Sequence, residues 1–271
     1  MAFPLRNKGD IMPHVRTSAL ALVFALLTFS AVAQDGALHA PDGRSPRFIR
    51  PLYFGPKPNA PFTAFARTQW VQIMPDNSTI TSSNARFVAR DMDGRIFQER
   101  RTFVASDSKE ESRIRVVEYT NPADHTSYSC NPNDKTCFLN NYYSPQMMEA
   151  ATPFGLQPDG RSYLTRENLG VDTYEGLEVQ RSRETLTYYK QTIGNTNTIL
   201  RTVEYWYSPV LGINVKVVRH DPRDGDQTLW LTNIDLNAPD PATFKVPEDY
   251  RVFDRRIARP MSGESQEAPQ Q

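Results

Sequence analysis

Between residues 61 and 253 the chain reads as short runs of alternating apolar and polar positions, each closed by Pro, Gly, Asn or Asp. In "ARFVAR" and "RIFQERRTF" the alternation has the period of a half-buried strand, in which successive side chains face opposite sides. Runs at 61–74, 79–90, 95–104 and 113–120 end in "PDNS", "DMDG", "ASDSKEES" and "NPAD". Later runs at 161–170, 174–190, 198–208, 213–221 and 227–236 are parted by "VDT", "QTIGNTN", "PVLG" and "PRDGD". Thr, Val, Tyr and Phe fill them, as a pleated surface favours. The expected fold is mainly β: a curved antiparallel meander of about ten strands, since neighbouring runs joined by tight turns pair antiparallel. No internal repeat is read. A meander this long must curl, close or split into two layers. One or two short helices interrupt it. "SPQMMEAATPFGL" (144–156) has the composition of a two-turn helix, and 237–253 reads as a turn, one helical turn and a closing extended segment.

The ends have a different texture. Arg6, Lys8 and Arg16 precede an apolar stretch from Ala19 to Ala33 that closes with Ala31-Val32-Ala33. A basic start, a short apolar run and a small-residue exit predict a signal peptide over 1–33, cut after Ala33. Met1 and Met12 both fit as its start. The apolar run is short of the roughly 20 residues that span a bilayer, so no transmembrane anchor is expected after cleavage. A periplasmic or secreted protein follows. Residues 34–61, rich in Pro and Gly, read as an extended leader, and 255–271 as a polar, disordered tail. The single β domain is expected over 62–254. Removing the signal takes Lys+Arg from 31 to 28 and Asp+Glu from 31 to 30, a net charge of about −2. No bulk charge recruits nucleic acid.

The only two cysteines, Cys130 and Cys137, flank "NPNDKT". Strands on either side of that turn would place them opposite each other, at the Cα separation of about 4.5–5.5 Å that suits a disulfide. Such a clasp is worth about 2–3 kcal/mol in the chain-entropy view, and export favours its persistence. C-x-x-C spacing is absent, and four zinc ligands cannot be gathered around the pair.

Other chemistry is sparse. In "DMDG", Asp91, Asp93 and Gly94 imitate part of a calcium loop, but Ala89 and Arg100 occupy the positions that need acids, so a hairpin turn is expected. His39, His125 and His220 are the histidines beyond the predicted signal, the last two beside turns. No nucleophile elbow, zinc-protease helix or phosphate loop is present. No metal, cofactor or catalytic residue is therefore assigned, and a non-enzyme is expected. Aromatics are grouped at Tyr142–Tyr143, Tyr188–Tyr189 and Tyr205-Trp206-Tyr207, with Phe138, Trp70 and Trp230 in neighbouring runs. Consecutive aromatics on a strand face opposite sides. Two readings stand: core with cross-strand pairing, and an apolar groove. The groove's candidate lining is Tyr142, Tyr143, Tyr205, Trp206, Tyr207 and Trp230, with Met147 and Met148 as an adaptable lid. The sequon Asn77-Ser78-Thr79 matters only where the source glycosylates.

"RDMDGRIFQERR" and "VVEYTNPADHTSYSCNP" resemble the corresponding region of exported bacterial proteins of unassigned function. "NLGVDTYEGLEVQRSRET", "EYWYSPVLGINV", "RHDPRDGDQTLWLTNI" and "PDPATFKVPEDYRV" follow in the same order, so the likeness runs over about 62–253. More loosely, the meander with a central helical piece and an F-x-V-P-x-x-Y ending is similar to the lipoprotein-carrier (LolA/LolB-like) and RseB-like half-barrel proteins. That resemblance implies a half-open barrel and a carrier-like role for a lipid or lipidated partner on a concave apolar sheet face. It transfers no individual contact residue. An envelope structural or protein-interaction module is the alternative, and a hydrolase a third.

Overall fold

The computed structural model describes residues 52–143 and 154–256. The expected signal peptide, the leader as far as 51, Met147 and Met148 with the rest of 144–153, and the tail from 257 lie outside the described residues.

Among the described residues fourteen strands form one open, curved sheet. They are β1 (Phe62–Ile73), β2 (Thr79–Arg90), β3 (Ile96–Arg101), β4 (Val104–Ala105), β5 (Ile114–Asn121), β6 (Thr126–Asn131) and β7 (Thr136–Asn141). There follow β8 (Gly155–Leu156), β9 (Ser162–Tyr174), β10 (Leu177–Tyr188), β11 (Ile199–Ser208), β12 (Ile213–Asp221), β13 (Gly225–Asp235) and β14 (Arg251–Asp254). The spatial order is β14-β7-β6-β5-β3-β2-β1-β13-β12-β11-β10-β9-β8, with β4 beside β2. The chain thus starts at the centre and meanders out to β7. It restarts at the far edge with β8 and meanders back until β13 pairs with β1. Every pairing is antiparallel except β14 on β7.

Three of the strands beyond the expected ten or so, β4, β8 and β14, are pairings of two to four residues that leave little periodicity to read. The end of the expected helix, Gly155–Leu156, is strand β8. Gly155 has φ +96°, outside any right-handed helix. The second expected helical turn is a 3-10 turn at Pro241–Phe244, where the Asp240 carboxylate accepts from Ala242 N at 2.8 Å. The "VDT" break does not exist: β9 runs on to Tyr174 and turns at Glu175-Gly176, both at positive φ, as a two-residue hairpin demands. Gly170, which looked like a strand end, instead sits at a β-bulge opposite Arg181 and Ser182.

A repeat the pattern missed also emerges. "NPADHT" and "NPNDKT" build the β5–β6 and β6–β7 turns identically. Asn121 Oδ1 accepts from Ala123 N at 3.1 Å and Asn131 Oδ1 from Asn133 N at 3.0 Å. Their amides donate to Asp124 and Asp134, and His125 and Lys135 close each turn at φ 52° and 51°. The second turn sets Cys130 opposite Cys137, which form the disulfide and are fully buried. The "DMDG" turn closes as a hairpin: Asp91 Oδ1 accepts from Asp93 N and Arg95 N.

The main core covers one face of the sheet's middle. Phe62, Ala64, Ala66, Val88, Val217, Leu229 and Leu231 are 0–2% exposed. Leu52, Phe54 and Leu211 join the same cluster. The described end of the expected leader therefore lacks regular structure yet packs into the core. Arg90 holds it there. Its fully buried guanidinium donates to Ala60 O at 2.9 Å, Gly55 O at 2.8 Å and Leu211 O at 2.6 Å. Lys57 Nζ adds Pro209 O and Val210 O at 2.6 and 2.9 Å. Among the described residues no helix is long and apolar enough to cross a membrane.

Candidate functional site

One sheet face is taken up by the main core at β1, β2, β12 and β13. Open space lies on the other face, toward the β7 edge. On that face a ridge of aromatic rings crosses the strands. Phe65 (β1) meets Phe87 (β2) at 5.7 Å between centroids, Phe87 meets Phe97 (β3) at 6.1 Å, and Phe97 meets Tyr119 (β5) at 5.2 Å. The edge-on and tilted geometries are those aromatic quadrupoles favour. Tyr128 stands opposite Tyr119 on β6, and Leu139 opposite Tyr128 on β7. Exposure rises along the ridge, from 9% at Tyr119 to 41% at Phe65.

The closed end of the ridge enters a cleft of about 760 Å³. Its floor is Tyr119 and Tyr128, and its roof is the strap from Phe244 to Arg256. The strap is fixed at several points. Val246 and Tyr250 pack on Tyr119 and the buried disulfide. Lys135 Nζ reaches Asp249 Oδ2 at 2.6 Å, and Arg251 N donates to Lys135 O at 2.9 Å. Phe253 stacks on Phe138 at 5.8 Å, on the side away from the cleft. At the front, Arg95 lies over the Phe244 ring at 5.5 Å.

Two of the cleft's cations are paired within the protein. Arg95 is tied to Asp91 at 2.5 Å and Arg256 to Asp254 at 2.5 Å. The Arg256 guanidinium, with its backbone N–H, holds the Asp254 carboxyl down at about 2. Burial first, then the neighbouring Tyr250 phenol, pushes the Tyr119 hydroxyl above its ordinary value, so it stays a proton donor at neutral pH. Beside these ions the lining mixes apolar side chains, Tyr119, Tyr128, Phe244, Val246, Pro247, Tyr250 and Val252, with polar ones, Thr120, Asn121, Asp124, Thr126, Lys245 and Glu248.

The aromatics singled out in the sequence lie elsewhere and are not gathered. Tyr142 is beside Tyr53, their hydroxyls 3.4 Å apart, and Tyr143 is 59% exposed. Tyr205 packs on the main core. Trp206 is itself a buried member of that core, 9% exposed, with the Arg181 guanidinium 4.8 Å and Lys216 Nζ 4.6 Å from its ring. Tyr207 is 39% exposed, and Trp230 lies opposite Lys216 in the register. Of the histidines, His125 occupies an exposed turn. His220 Nδ1 lies 2.5 Å from Asp226 Oδ1, both half-exposed on open sheet outside the cleft. Among the described residues no group of three His, Cys, Asp or Glu is placed to hold a metal.

No protein-family model and no curated protein matches the chain. Solved structures do. A conserved protein from Thermus thermophilus is 10% identical over 73% of this chain and 91% of its own, TM-score 0.36. MucB is 10% identical over 70% of this chain and 58% of its own, TM-score 0.34. A LolA superfamily protein from Nitrosomonas europaea is 8% identical over 70% of this chain and 92% of its own, TM-score 0.28. The half-barrel resemblance noted in the sequence is thus met again among solved structures. At these identities and scores it carries no argument about ligand or partner.

Proposed function

We propose that this chain is an exported, non-catalytic binding protein that takes an amphipathic ligand, a lipid or the acyl group of a lipidated partner, in the cleft beneath the 244–256 strap. The observation that supports it is the continuity of the Phe65–Tyr119 ridge with a cleft of about 760 Å³. That volume lies in the range of roughly 300–1,000 Å³ common to small-molecule sites. Apolar burial supplies the affinity, about 25 cal/mol per Å² removed from water. The Tyr119 hydroxyl and the paired ions of the rim accommodate a polar end. A second reading has its own support: β14 is exposed along its length, with Val252 and Phe253 each at 48%, and its outer edge is unpaired in the sheet among the described residues. Such an edge suits strand addition by an envelope protein.

Native mass spectrometry of the chain purified from a bacterial periplasm tests the proposal. The expected result is a lipid adduct that Tyr128→Ala loses while Tyr143→Ala and Tyr207→Ala keep it. Absence of any adduct, together with no uptake of a fluorescent fatty acid, sinks the reading. Loss confined to the Tyr143 and Tyr207 variants would move the site to the aromatics first read from the sequence.

A further inference from the structure

Strand β14 ends the sheet, with β7 as its one neighbour among the described residues. Arg251 N donates to Lys135 O at 2.9 Å and Arg255 N to Leu139 O at 2.8 Å. Backbone polar groups alternate in direction along a strand, so the N–H and C=O of Val252 and Asp254 point away from β7, into an edge that no described strand pairs. The side chains alternate as well. Val252 and Asp254 stand beside Cys137 and Leu139 on the cleft side, where Arg256 holds Asp254 at 2.5 Å. Arg251, Phe253 and Arg255 stand on the other side, and all three are exposed.

On that side their neighbours are Thr136 and Phe138 on β7, then Asn131 and Ser129 on β6, none of them acidic. Acids of the adjoining segments are taken, Asp134 by Asn131 and Thr136, and Asp249 by Lys135. The Arg255 guanidinium lies over the Phe138 ring at 3.4 Å, and Phe253 stacks on the same ring at 5.8 Å. The outer side of β14 thus reads cation, ring, cation at every second residue, beside a backbone edge open to another strand.

The charges select the occupant. When two copies pair antiparallel with all their outward groups matched, Phe253 meets Phe253 and Arg251 meets Arg255 of the second copy. Like charges directly opposite are destabilising, so self-pairing is disfavoured. A strand with acids at those two positions makes the same geometry favourable. Residues 251, 253 and 255 would then occupy the non-hydrogen-bonded positions, where opposed Cα atoms come to about 4.5 Å and side chains lie closest.

We propose that β14 accepts an extended acidic segment of another protein as an antiparallel strand, recognised by the pattern acid-x-apolar-x-acid. The acids meet Arg251 and Arg255, and the apolar residue covers Phe253. This rests on the strand-addition reading given above and is independent of the lipid in the cleft.

Fluorescence anisotropy of the intact chain with two labelled peptides tests it, Thr-Glu-Thr-Phe-Thr-Glu-Thr and its counterpart with Lys for Glu. Expected is saturable binding of the acidic peptide that weakens about fivefold in Arg251→Gln and in Arg255→Gln, one cross-strand ion pair each. The lysine peptide binds the native chain more weakly than the acidic one. Arg251→Glu combined with Arg255→Glu reverses that preference, a gain that misfolding cannot imitate. Val252→Pro removes an outward N–H that the ladder does not use, so the chain keeps its circular dichroism and loses the peptide. Equal affinity for the two peptides, abolished by Val252→Pro, would keep strand addition and overturn the acidic partner. Binding that survives Val252→Pro, or no saturable binding of either peptide, overturns both.

Discussion

Arg90 offers a sharp test of how the fold is closed. Its guanidinium is fully buried and faces three backbone carbonyls, at Ala60, Gly55 and Leu211. Burial lowers its pKa to about 10, a sign that desolvation opposes the charge. Against that stand three charge-assisted hydrogen bonds, about 1.5–3 kcal/mol each. In Arg90→Leu the desolvation cost disappears, but three carbonyls are left without a donor, at about 1–3 kcal/mol for each that stays dry. Segment 55–61 can partly lift away and rehydrate, which trims the loss. The expected net destabilisation is about 3 kcal/mol, a large share of the 5–15 kcal/mol typical of a domain. Arg90→Lys, with one ammonium for three acceptors, should fall between the two. Urea unfolding at neutral pH measures both, and limited proteolysis reads the release of residues 52–61. A loss under about 1 kcal/mol, with proteolysis unchanged, would show that the segment is held by Leu52, Phe54 and Lys57 rather than by the buried cation.

Gly225→Ala should lower stability by about 3 kcal/mol in thermal unfolding, because Gly225 has φ +85° and a Cβ there would lie 2.1 Å from Val71 O. Replacing Cys130 and Cys137 together by Ser should cost about 2–3 kcal/mol and speed hydrogen exchange in the strap packed on them; unchanged exchange would separate the strap from the clasp. Acid should destabilise the fold between about pH 4 and pH 2. The carboxyls of Asp249 and Asp254 are held below 3.8, with Asp254 at about 2, by Lys135 and Arg256; burial raises Asp221, but its hydrogen bonds from Arg223 outweigh that. A folded-state pKa below the unfolded one gives stability that is present above the unfolded value and lost as pH falls through the folded one. A flat melting temperature across that window would contradict this.

The strands were legible because period two survives without knowledge of partners: β2 and β12 have the very bounds the pattern assigns. The glycine breaks were harder, since Gly170 and Gly176 carry the same signal, positive φ, for different purposes: a bulge and a turn. The site was hidden for a deeper reason. Clusters such as Tyr205-Trp206-Tyr207 are conspicuous in sequence, yet Tyr205 and Trp206 go to the main core and Tyr207 is left exposed. The ridge is built from single aromatics, Phe65, Phe87, Phe97, Tyr119 and Tyr128, each in a different strand. Only the register brings them together. The signal lay in pairing the runs antiparallel and asking which isolated rings then share a row.

The same register explains why the two faces divide their labour. On the central strands, small and branched residues such as Ala64, Ala66, Val88 and Val217 allow Leu52, Phe54 and Leu211 to come close and seal that side. A sealed face cannot also be a container. The opposite face carries bulky rings that project too far to be closed by one short crossing segment. The 244–256 strap covers only their β5–β7 end, where it rests on Tyr119 and the disulfide, and leaves Phe65 in water. The cleft is the space left where a narrow strap bridges a broad aromatic surface. Its volume therefore depends on how firmly Lys135, the β7–β14 pairing and the disulfide hold that strap down. Lys135→Ala breaks a pair exposed on both sides, so its effect on global stability should be slight. If the strap sets the cleft, fatty-acid uptake in that variant should change severalfold while the unfolding midpoint hardly moves. Uptake that tracks the midpoint instead would mean that the cleft is merely a by-product of packing.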